Sequence, residues 1–262
     1  MSGTFAIASG KGGTGKTTVA TNLYRLFSET YPDEVLLVDC DVEEPNDMLF
    51  LPSAVKASES EVNQEIPAIN TSKCTYCRKC VEYCEFNAIL VIPPVKFAEI
   101  NASLCHSCGA CQVACEDGAI QVNDHPIGSI THYKDGMGQG ILEGRLKIGS
   151  AMQTMVIRSL KKEIPAGNQI TLLDAPPGTS CPVVETISDA DYIILVTEPT
   201  PFGLHDLKLM VSLLKETEKP FGVVINKANL GDRDVYDYLE AESIKILTEI
   251  PFDRTYACLL YT

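Results

Sequence analysis

A strand, a glycine-rich loop and a helix follow one another at the start of the chain. The apolar run 4–8 precedes Gly10 to Thr17, which reads Gly-Lys-Gly-Gly-Thr-Gly-Lys-Thr, and a helix-compatible run continues to Phe27. Two glycines separated by four residues and followed by Lys-Thr form a phosphate-binding pattern, because glycines let successive backbone N–H groups turn toward phosphate oxygens at a helix N-terminus. The segment therefore predicts a nucleotide-binding P-loop. A glycine-rich turn that matches by chance is the alternative.

Three side chains of this loop have predicted roles in binding a nucleotide. Lys16 would neutralise the β and γ phosphates, the Thr17 hydroxyl would bind Mg²⁺, and Thr18 would help to hold the α phosphate. The predicted cofactors are therefore ATP or ADP together with Mg²⁺.

Acidic residues stand at the ends of two further apolar strands. The run 35–38 is followed by Asp39 and Asp41, and the run 170–173 by Asp174. Buried parallel strands bring their carboxyl ends to one edge of a sheet, where doubly wound folds bind ligands. We therefore expect these carboxylates to face the phosphate loop, with Asp174 holding Mg²⁺ through water. Carboxylates that only cap a neighbouring helix are the alternative for Asp39 and Asp41.

A second lysine, Lys11, lies inside the loop, where an ordinary P-loop does not need one. The string Lys-Gly-Gly-Thr-Gly-Lys-Thr resembles the deviant Walker A family of MinD-like P-loop ATPases, to which ParA-type ATPases, the nitrogenase iron protein and Mrp-type cluster carriers are related. The resemblance implies that Lys11 reaches the phosphates of a partner subunit, so that a homodimer is the active form. A solvated surface lysine is the alternative.

The same resemblance assigns roles to residues outside the loop. Asp41 would position the attacking water, Asp39 would support the Mg²⁺ shell, and Asn226 would recognise adenine. The Pro-Pro-Gly turn at 176–178 would be a switch that moves when the γ phosphate is lost. The predicted catalytic residues are Lys11, Lys16 and Asp41. The predicted nucleotide-binding residues are Gly10, Lys11, Gly12, Gly13, Thr14, Gly15, Lys16, Thr17, Thr18 and Asn226. The predicted Mg²⁺ ligands are Thr17, Asp39 and Asp174.

Eight of the eleven cysteines form two identical runs with x2, x2 and x3 spacing, the second 31 residues after the first. This spacing is typical of bacterial ferredoxins with two [4Fe–4S] clusters, in which the fourth cysteine of each run ligates the other cluster. Structural zinc is the alternative. The expected ligand sets are Cys74, Cys77, Cys80 and Cys115 for one cluster, and Cys105, Cys108, Cys111 and Cys84 for the other.

Strands and helices alternate on both sides of the cysteine runs, which predicts a doubly wound, mostly parallel α/β sheet of P-loop NTPase type. The cysteine runs predict an inserted two-cluster ferredoxin-like α+β module. We expect residues 1–60 and 126–262 to form the ATPase domain and residues 61–125 to form the insert. Over nearly its whole length the chain resembles MinD-like ATPases with an inserted ferredoxin domain.

Three cysteines lie outside the two runs: Cys40, Cys181 and Cys258. Cys181 follows Asp174 by seven residues, a spacing at which the nitrogenase iron protein has a cysteine that helps to bridge a cluster between subunits. We hypothesise that Cys181 marks a contact or transient cluster site near a dimer interface. A plain buried thiol is the alternative.

Charge and hydropathy limit the expected partners. The chain carries 21 Lys and Arg against 35 Asp and Glu, a formal charge of −14. This balance argues against capture of nucleic acid or anionic lipid. Apolar runs are shorter than a membrane span, and no secretory signal precedes the first strand. We expect a cytoplasmic protein without a membrane or nucleic-acid partner.

Three functions are compatible with these motifs. The leading prediction is an ATPase that couples its nucleotide state to electron transfer through two [4Fe–4S] clusters, with a redox protein as partner. The first alternative is a cluster assembly or carrier ATPase that donates clusters to an accepting protein. The second is a positioning ATPase like MinD and ParA, with structural or sensory clusters.

Overall fold

The computed structural model describes residues 2–135, 140–167 and 169–253 of the chain. The strands are β1 Gly3–Ala8, β2 Val35–Asp39, β3 Val55–Ile69, β4 Ile89–Ile92, β5 Phe97–Ile100, β6 Ile120–Lys134, β7 Gly140–Leu146, β8 Ile170–Asp174, β9 Tyr192–Thr197, β10 Phe221–Asn226 and β11 Ile246–Ile250. The α-helices are α1 Lys16–Thr30, α2 Lys79–Glu82, α3 Ala110–Ala114, α4 Gln153–Lys162, α5 Cys181–Ile187, α6 Pro201–Glu216 and α7 Asp234–Ala241. Short 3-10 helices cover Asp47–Leu49, Pro93–Val95 and Ala102–Leu104.

The large sheet has the order β11-β10-β9-β1-β8-β2-β7-β6-β3 within the described residues. The pairings from β11 across to β7 are parallel. Strand β1 lies between β8 and β9, and β8 separates it from β2, so the chain crosses over between sequential strands. Such crossovers need helices on the faces of the sheet, as the sequence predicts. The prediction of an α/β sheet of P-loop NTPase type is confirmed.

Burial explains why the central strands are almost continuously apolar. Every residue of β2 and β8 is buried, because both faces of these strands are covered. Leu37 and Leu172 have no exposed surface, and Tyr24 of α1 packs in the same core. Strands β2 and β8 are paired so that Asp39 lies beside Asp174 at their carboxyl ends. The core therefore brings two acids from distant parts of the chain to one edge of the sheet.

Contacts within the chain divide it into two compact units. The larger unit comprises Met1–Ser60, Ser129–Leu146 and Gln153–Thr262, and the smaller unit comprises Glu61–Gly128 and Lys147–Met152. In the smaller unit, β4 and β5 form an antiparallel pair in which Ile89 lies opposite Ile100. Ile89 and Val91 turn inward and pack with Cys111, so one face of this pair covers a cysteine-lined core.

Candidate functional site

The glycine loop connects β1 to α1 in the larger unit. Gly15 has a φ of 93° and precedes the first residue of α1, a left-handed conformation that favours glycine. A Cβ on Gly15 would lie 2.2 Å from the Asn226 amide nitrogen, whereas a Cβ on Gly12 or Gly13 would meet nothing within 4 Å. One side of the loop is therefore held against β10, and the side at Gly12 and Gly13 is open.

Lys16 and Thr17 both contact Asp174 at the start of α1. The Lys16 ammonium donates to Asp174 Oδ1 at 2.7 Å, and the Thr17 hydroxyl donates to Asp174 Oδ2 at 2.7 Å. The Lys16 and Asp174 side chains are only 7% and 1% exposed. Burial lowers the pKa of Lys16, but the charge and hydrogen bond of Asp174 outweigh it, so the net direction is upward. The structure therefore brings together the lysine, threonine and acid that the sequence predicts for the phosphate site. The lysine keeps its positive charge there.

Asp39 is tied to the loop that follows β2. Its Oδ1 accepts the backbone N–H of Asp41 at 3.1 Å, and its Oδ2 accepts those of Asn46 at 2.9 Å and Asp47 at 3.1 Å. Burial, followed by the charge of Asp174, nevertheless raises the pKa of Asp39 to about 8. Asp39 therefore organises this loop from a position beside the predicted Mg²⁺ site.

A third buried acid, Asp47, completes a cluster that the sequence pattern does not identify. One carboxylate oxygen from each of Asp39, Asp47 and Asp174 lies within 4.8 Å of the others. Burial raises the pKa of Asp47 well above its usual range, and the charges of Asp39 and Asp174 add to this effect. Asp47 follows no apolar strand, so the signal that marks Asp39 and Asp174 is absent there.

Asp41 and Thr14 flank the site. Asp41 is half-buried, and burial raises its pKa while the nearby Lys16 lowers it, with a net upward shift. The Thr14 hydroxyl is buried and has no hydrogen-bond partner among the residues that the structure describes. Thr18 is exposed in the first turn of α1, where its carbonyl accepts the Asn22 amide at 2.7 Å. Asp41, Thr14 and Thr18 remain predicted site residues.

Lys11 forms an ion pair within its own chain. Its ammonium lies 2.6 Å from Glu198 Oε1, and the Lys227 ammonium lies 2.9 Å from Glu198 Oε2. Lys227 also donates to the Gly13 carbonyl at 3.3 Å. Burial raises the pKa of Glu198, but the two lysines lower it more, so the net direction is downward. The sequence does not predict this ion pair between Glu198 and Lys11.

Asn226 lies against the phosphate loop at the end of β10. Its amide donates to the Thr14 carbonyl at 2.7 Å, and its carbonyl oxygen accepts the Lys227 backbone N–H at 2.9 Å. The end of β11 lies close to the residues that follow Asn226, since the Ala228 N–H donates to the Ile250 carbonyl at 3.0 Å. The adenine-binding role of Asn226 stays a prediction.

The eight run cysteines line two cavities in the smaller unit. Each cavity contains three cysteines of one run and the fourth cysteine of the other run. The first cavity holds Cys105, Cys108, Cys111 and Cys84. The second holds Cys74, Cys77, Cys80 and Cys115.

The two cysteine runs adopt the same local conformation. In the first run, the Tyr76 N–H donates to Cys74 Sγ at 3.4 Å, and in the second the Ser107 N–H donates to Cys105 Sγ at 3.5 Å. Tyr76 and Ser107 both have left-handed φ angles, 56° and 54°. Burial raises the pKa of the Cys111 thiol to about 11, and the neighbouring Cys105 and Cys108 add to this effect. The sequence repeat is therefore also a structural repeat.

The other cysteines have separate surroundings. Cys40 is buried, and Cys181 is exposed at the first residue of α5. The turn before α5 is held by the Gly178 N–H, which donates to the Ser9 carbonyl at 2.9 Å. Cys258 lies outside the described residues. The role predicted for Cys181 stays a hypothesis.

The sequence matches known proteins over almost its whole length. A family model described as the CobQ/CobB/MinD/ParA nucleotide binding domain matches residues 5–259. An uncharacterized protein of Methanocaldococcus jannaschii is 32% identical over 255 residues, which are 95% of this chain and 86% of that protein. An uncharacterized ATP-binding protein of the same organism is 27% identical over 249 residues, 94% of this chain and 84% of that protein.

Solved structures share the fold. The septum site-determining protein MinD of Pyrococcus horikoshii, complexed with Mg-ADP, has a TM-score of 0.53 and 21% identity, over 97% of this chain and 83% of that chain. At this identity the likeness concerns the fold. Among the described residues, no helix is long and apolar enough to cross a membrane.

Proposed function

Because the chain belongs to the CobQ/CobB/MinD/ParA nucleotide-binding family and is an ATPase of that family, we propose that the loop from Gly10 to Thr18 binds the phosphates of ATP. The observation that carries this proposal is the convergence of Lys16 and Thr17 on Asp174, each at 2.7 Å. A lysine, a hydroxyl and a carboxylate at the N-terminus of a helix are the groups that a Mg-nucleotide needs.

The residues present fit a Mg-nucleotide. The buried Thr14 hydroxyl has no partner in the described part of the chain, which suits a group that bonds to a ligand. The open side at Gly12 and Gly13 leaves room for phosphate oxygens to approach the backbone. Thr17 and Asp174 supply the hard oxygen ligands that Mg²⁺ prefers.

The residues of the site have different roles in phosphoryl transfer. Bound Mg²⁺ supplies charge compensation at the phosphate oxygens. Lys16 would exchange Asp174 for phosphate and neutralise its negative charge, while Thr17 and Asp174 would hold the cation. Asp39 fixes the loop that carries Asp41 through backbone hydrogen bonds, and Asp41 orients the attacking water. Positioning and charge compensation are the main requirements of this chemistry.

We also propose that the active form is a homodimer in which Lys11 contacts the phosphates bound by the partner. In the single chain, Lys11 is paired with Glu198 at 2.6 Å and is 29% exposed. An ion pair of this exposure is weak enough for a phosphate to displace it.

The smaller unit is proposed to hold two [4Fe–4S] clusters, in a ferredoxin-like insert at 61–125. The support is that each cavity is lined by three cysteines of one run and one of the other, the arrangement that two-cluster ferredoxins use. Backbone N–H groups already point at the first cysteine of each run, Cys74 and Cys105. Such donors stabilise thiolate ligands.

The family favours an ATPase like MinD and ParA over the leading prediction of electron transfer. We therefore propose the ATPase as the core activity and give its clusters a structural or sensory role. Electron transfer to a redox protein is the second candidate, favoured by the two complete sets of four cysteines. A labile cluster for delivery to an accepting protein would not need eight ligands.

The ATPase proposal is tested by phosphate release and ATP binding with Mg²⁺. Wild-type protein should hydrolyse ATP, and Lys16→Ala should abolish hydrolysis, whereas Lys162→Ala, at an exposed lysine that ends α4, should not change it. Equal hydrolysis by wild type and Lys16→Ala would refute the assignment of the P-loop.

The cluster proposal is tested by iron and zinc analysis after anaerobic purification. We expect about eight irons per chain. Cys84→Ser and Cys115→Ser should each lower iron and perturb a different cluster, and Cys181→Ser separately tests the hypothesis for that residue. A zinc-containing, iron-free protein would overturn the proposal, and unchanged spectra and activity in Cys181→Ser would remove the hypothesis for that residue.

A comparison of reduction potentials separates the two candidate roles of the clusters. Potentials and electron-transfer rates to an artificial acceptor are measured without nucleotide, with ADP and with ATP, using Lys16→Ala as control. A nucleotide-dependent rate would favour coupled electron transfer. Identical values in all three states would leave the structural or sensory role.

A further inference from the structure

Asp47 is a buried acid without a hydrogen-bond donor. It lies at the start of the short 3-10 helix after β2 and has no exposed surface. Neither of its carboxylate oxygens has a hydrogen-bond partner among the described residues. A buried polar group without a partner is uncommon in folded proteins, since removing it from water is unfavourable. Asp47 therefore requires either a hydrogen bond with the adjacent carboxyl of Asp174 or a ligand that the protein chain does not supply.

The neighbours of Asp47 identify the charge of that ligand. One oxygen each of Asp39, Asp47 and Asp174 falls within 4.8 Å of the other two. The Lys16 ammonium contacts Asp174 and is the cation bonded to this cluster within the described chain. When the three acids are ionised, the single ammonium leaves an excess of negative charge, which favours a small cation.

The three acids differ in the oxygens that they can offer. Asp39 accepts three backbone N–H groups through its two oxygens. Asp174 accepts Lys16 on one oxygen and Thr17 on the other. Neither oxygen of Asp47 accepts from an N–H or hydroxyl group of the described residues, and its carboxyl lies against that of Asp174. Of the three, Asp47 is the acid with the greatest remaining capacity to coordinate a metal ion.

We propose that Asp47 is a direct ligand of a divalent-cation site shared with Asp39 and Asp174, and that this site takes Mg²⁺ or Mn²⁺ without nucleotide. The inference deepens the proposed ATPase function, on which it rests for the identity of the metal. A cation at Asp47 would weaken the hold of Asp174 on Lys16, so Lys16 would become available to the phosphates. Metal binding would then prepare the loop for ATP.

The experiment measures Mn²⁺ binding to the nucleotide-free full chain by equilibrium dialysis, with iron measured in the same samples. Wild type should bind one tightly held Mn²⁺ that excess Mg²⁺ displaces. Asp47→Asn should weaken this binding about tenfold or more, the scale on which metal sites respond to loss of supporting groups. Glu43→Gln, an exposed acid of the same loop, should bind Mn²⁺ like wild type.

Thermal unfolding supplies a second measurement. Mg²⁺ should raise the unfolding temperature of wild type and not that of Asp47→Asn. If Asp47→Asn does not fold, Asp47→Ser replaces it.

Two outcomes would overturn the inference: wild type that binds no Mn²⁺ without nucleotide, or Asp47→Asn that binds it as tightly as wild type. The second outcome would make Asp47 a neutral acid that shares a proton with Asp174. Mg-ATP binding is measured separately. Wild type that binds Mg-ATP but no free Mn²⁺ refutes the role of Asp47 alone, whereas wild type that binds Mn²⁺ but no ATP refutes the proposed function.

Discussion

The buried ion pair between Lys16 and Asp174 predicts that removal of one partner destabilises the protein more than removal of the other. The pair is 2.7 Å long, with side chains 7% and 1% exposed. Lys16→Met removes the ammonium but keeps most of the volume, which leaves Asp174 beside Asp39 and Asp47 without a counter-charge. Asp174→Asn removes one of the three carboxylates and leaves Lys16 near Asp39 and Asp41, whose charges favour the ammonium.

The magnitude follows from the burial of the pair. Removing one partner of a buried ion pair costs about 3–5 kcal/mol. The cost of Lys16→Met should lie near the upper end of this range, because loss of the ammonium leaves three neighbouring acids without a compensating positive charge. Protonation limits this cost, because each unit of pKa shift corresponds to about 1.4 kcal/mol. Asp174→Asn should cost less than about 3 kcal/mol, since relief of carboxylate repulsion offsets part of the lost attraction.

Urea unfolding followed by far-ultraviolet circular dichroism measures the two costs. The samples contain a chelator and no nucleotide, because Mg²⁺ would replace the missing positive charge. Lys11→Met is the matched control: its ion pair with Glu198 is 29% exposed at the lysine, so its loss should cost no more than about 1 kcal/mol. Equal losses for Lys16→Met and Asp174→Asn, or a larger loss for Asp174→Asn, would refute the account of the cluster.

Three further predictions follow from the same contacts. Glu198→Gln should free Lys11 and strengthen ATP-dependent self-association about two- to fivefold, as expected for loss of a partly exposed ion pair; analytical ultracentrifugation that finds no change would contradict this. Because the pKa of Asp39 is raised to about 8, its contribution to stability is complete at low pH and is lost as pH rises toward 8. The unfolding free energy of metal-free protein should therefore fall between pH 6 and pH 8, by at most about 1.4 kcal/mol per pH unit for this group, and Asp39→Asn should flatten the slope. Leu172→Ala, at a fully buried position of β8, should cost about 2–5 kcal/mol in urea unfolding, and a loss below 1 kcal/mol would show that the site collapses around the smaller side chain.

Short-range patterns in the sequence predict the parts of the site that depend on local geometry. The glycine loop needs only a strand before it and a helix after it, so its position between β1 and α1 follows from adjacent residues. Asp39 and Asp174 each end an apolar run, and parallel strands place such ends at one edge. Their pairing in the sheet bears out that expectation.

The grouping of the cysteines is also expected from the sequence, because their spacing resembles that of two-cluster ferredoxins. Each run supplies three cysteines to one cavity and a fourth to the other. The expectation that the fourth cysteine of each run joins the other run comes from the resemblance to two-cluster ferredoxins.

Tertiary structure alone decides contacts between residues that have no pattern of their own. Lys11 and Glu198 are 187 positions apart, and nothing in the local sequence of either residue specifies the other. Asp47 follows no strand, and its place beside Asp39 and Asp174 depends on the path of the loop after β2. The motif at Gly10 to Thr17 therefore follows from the sequence, while the acid and the ion pair that act on it follow from packing. The physical reason is that hydrophobic periodicity determines which elements form, whereas charges meet only where the folded core places them.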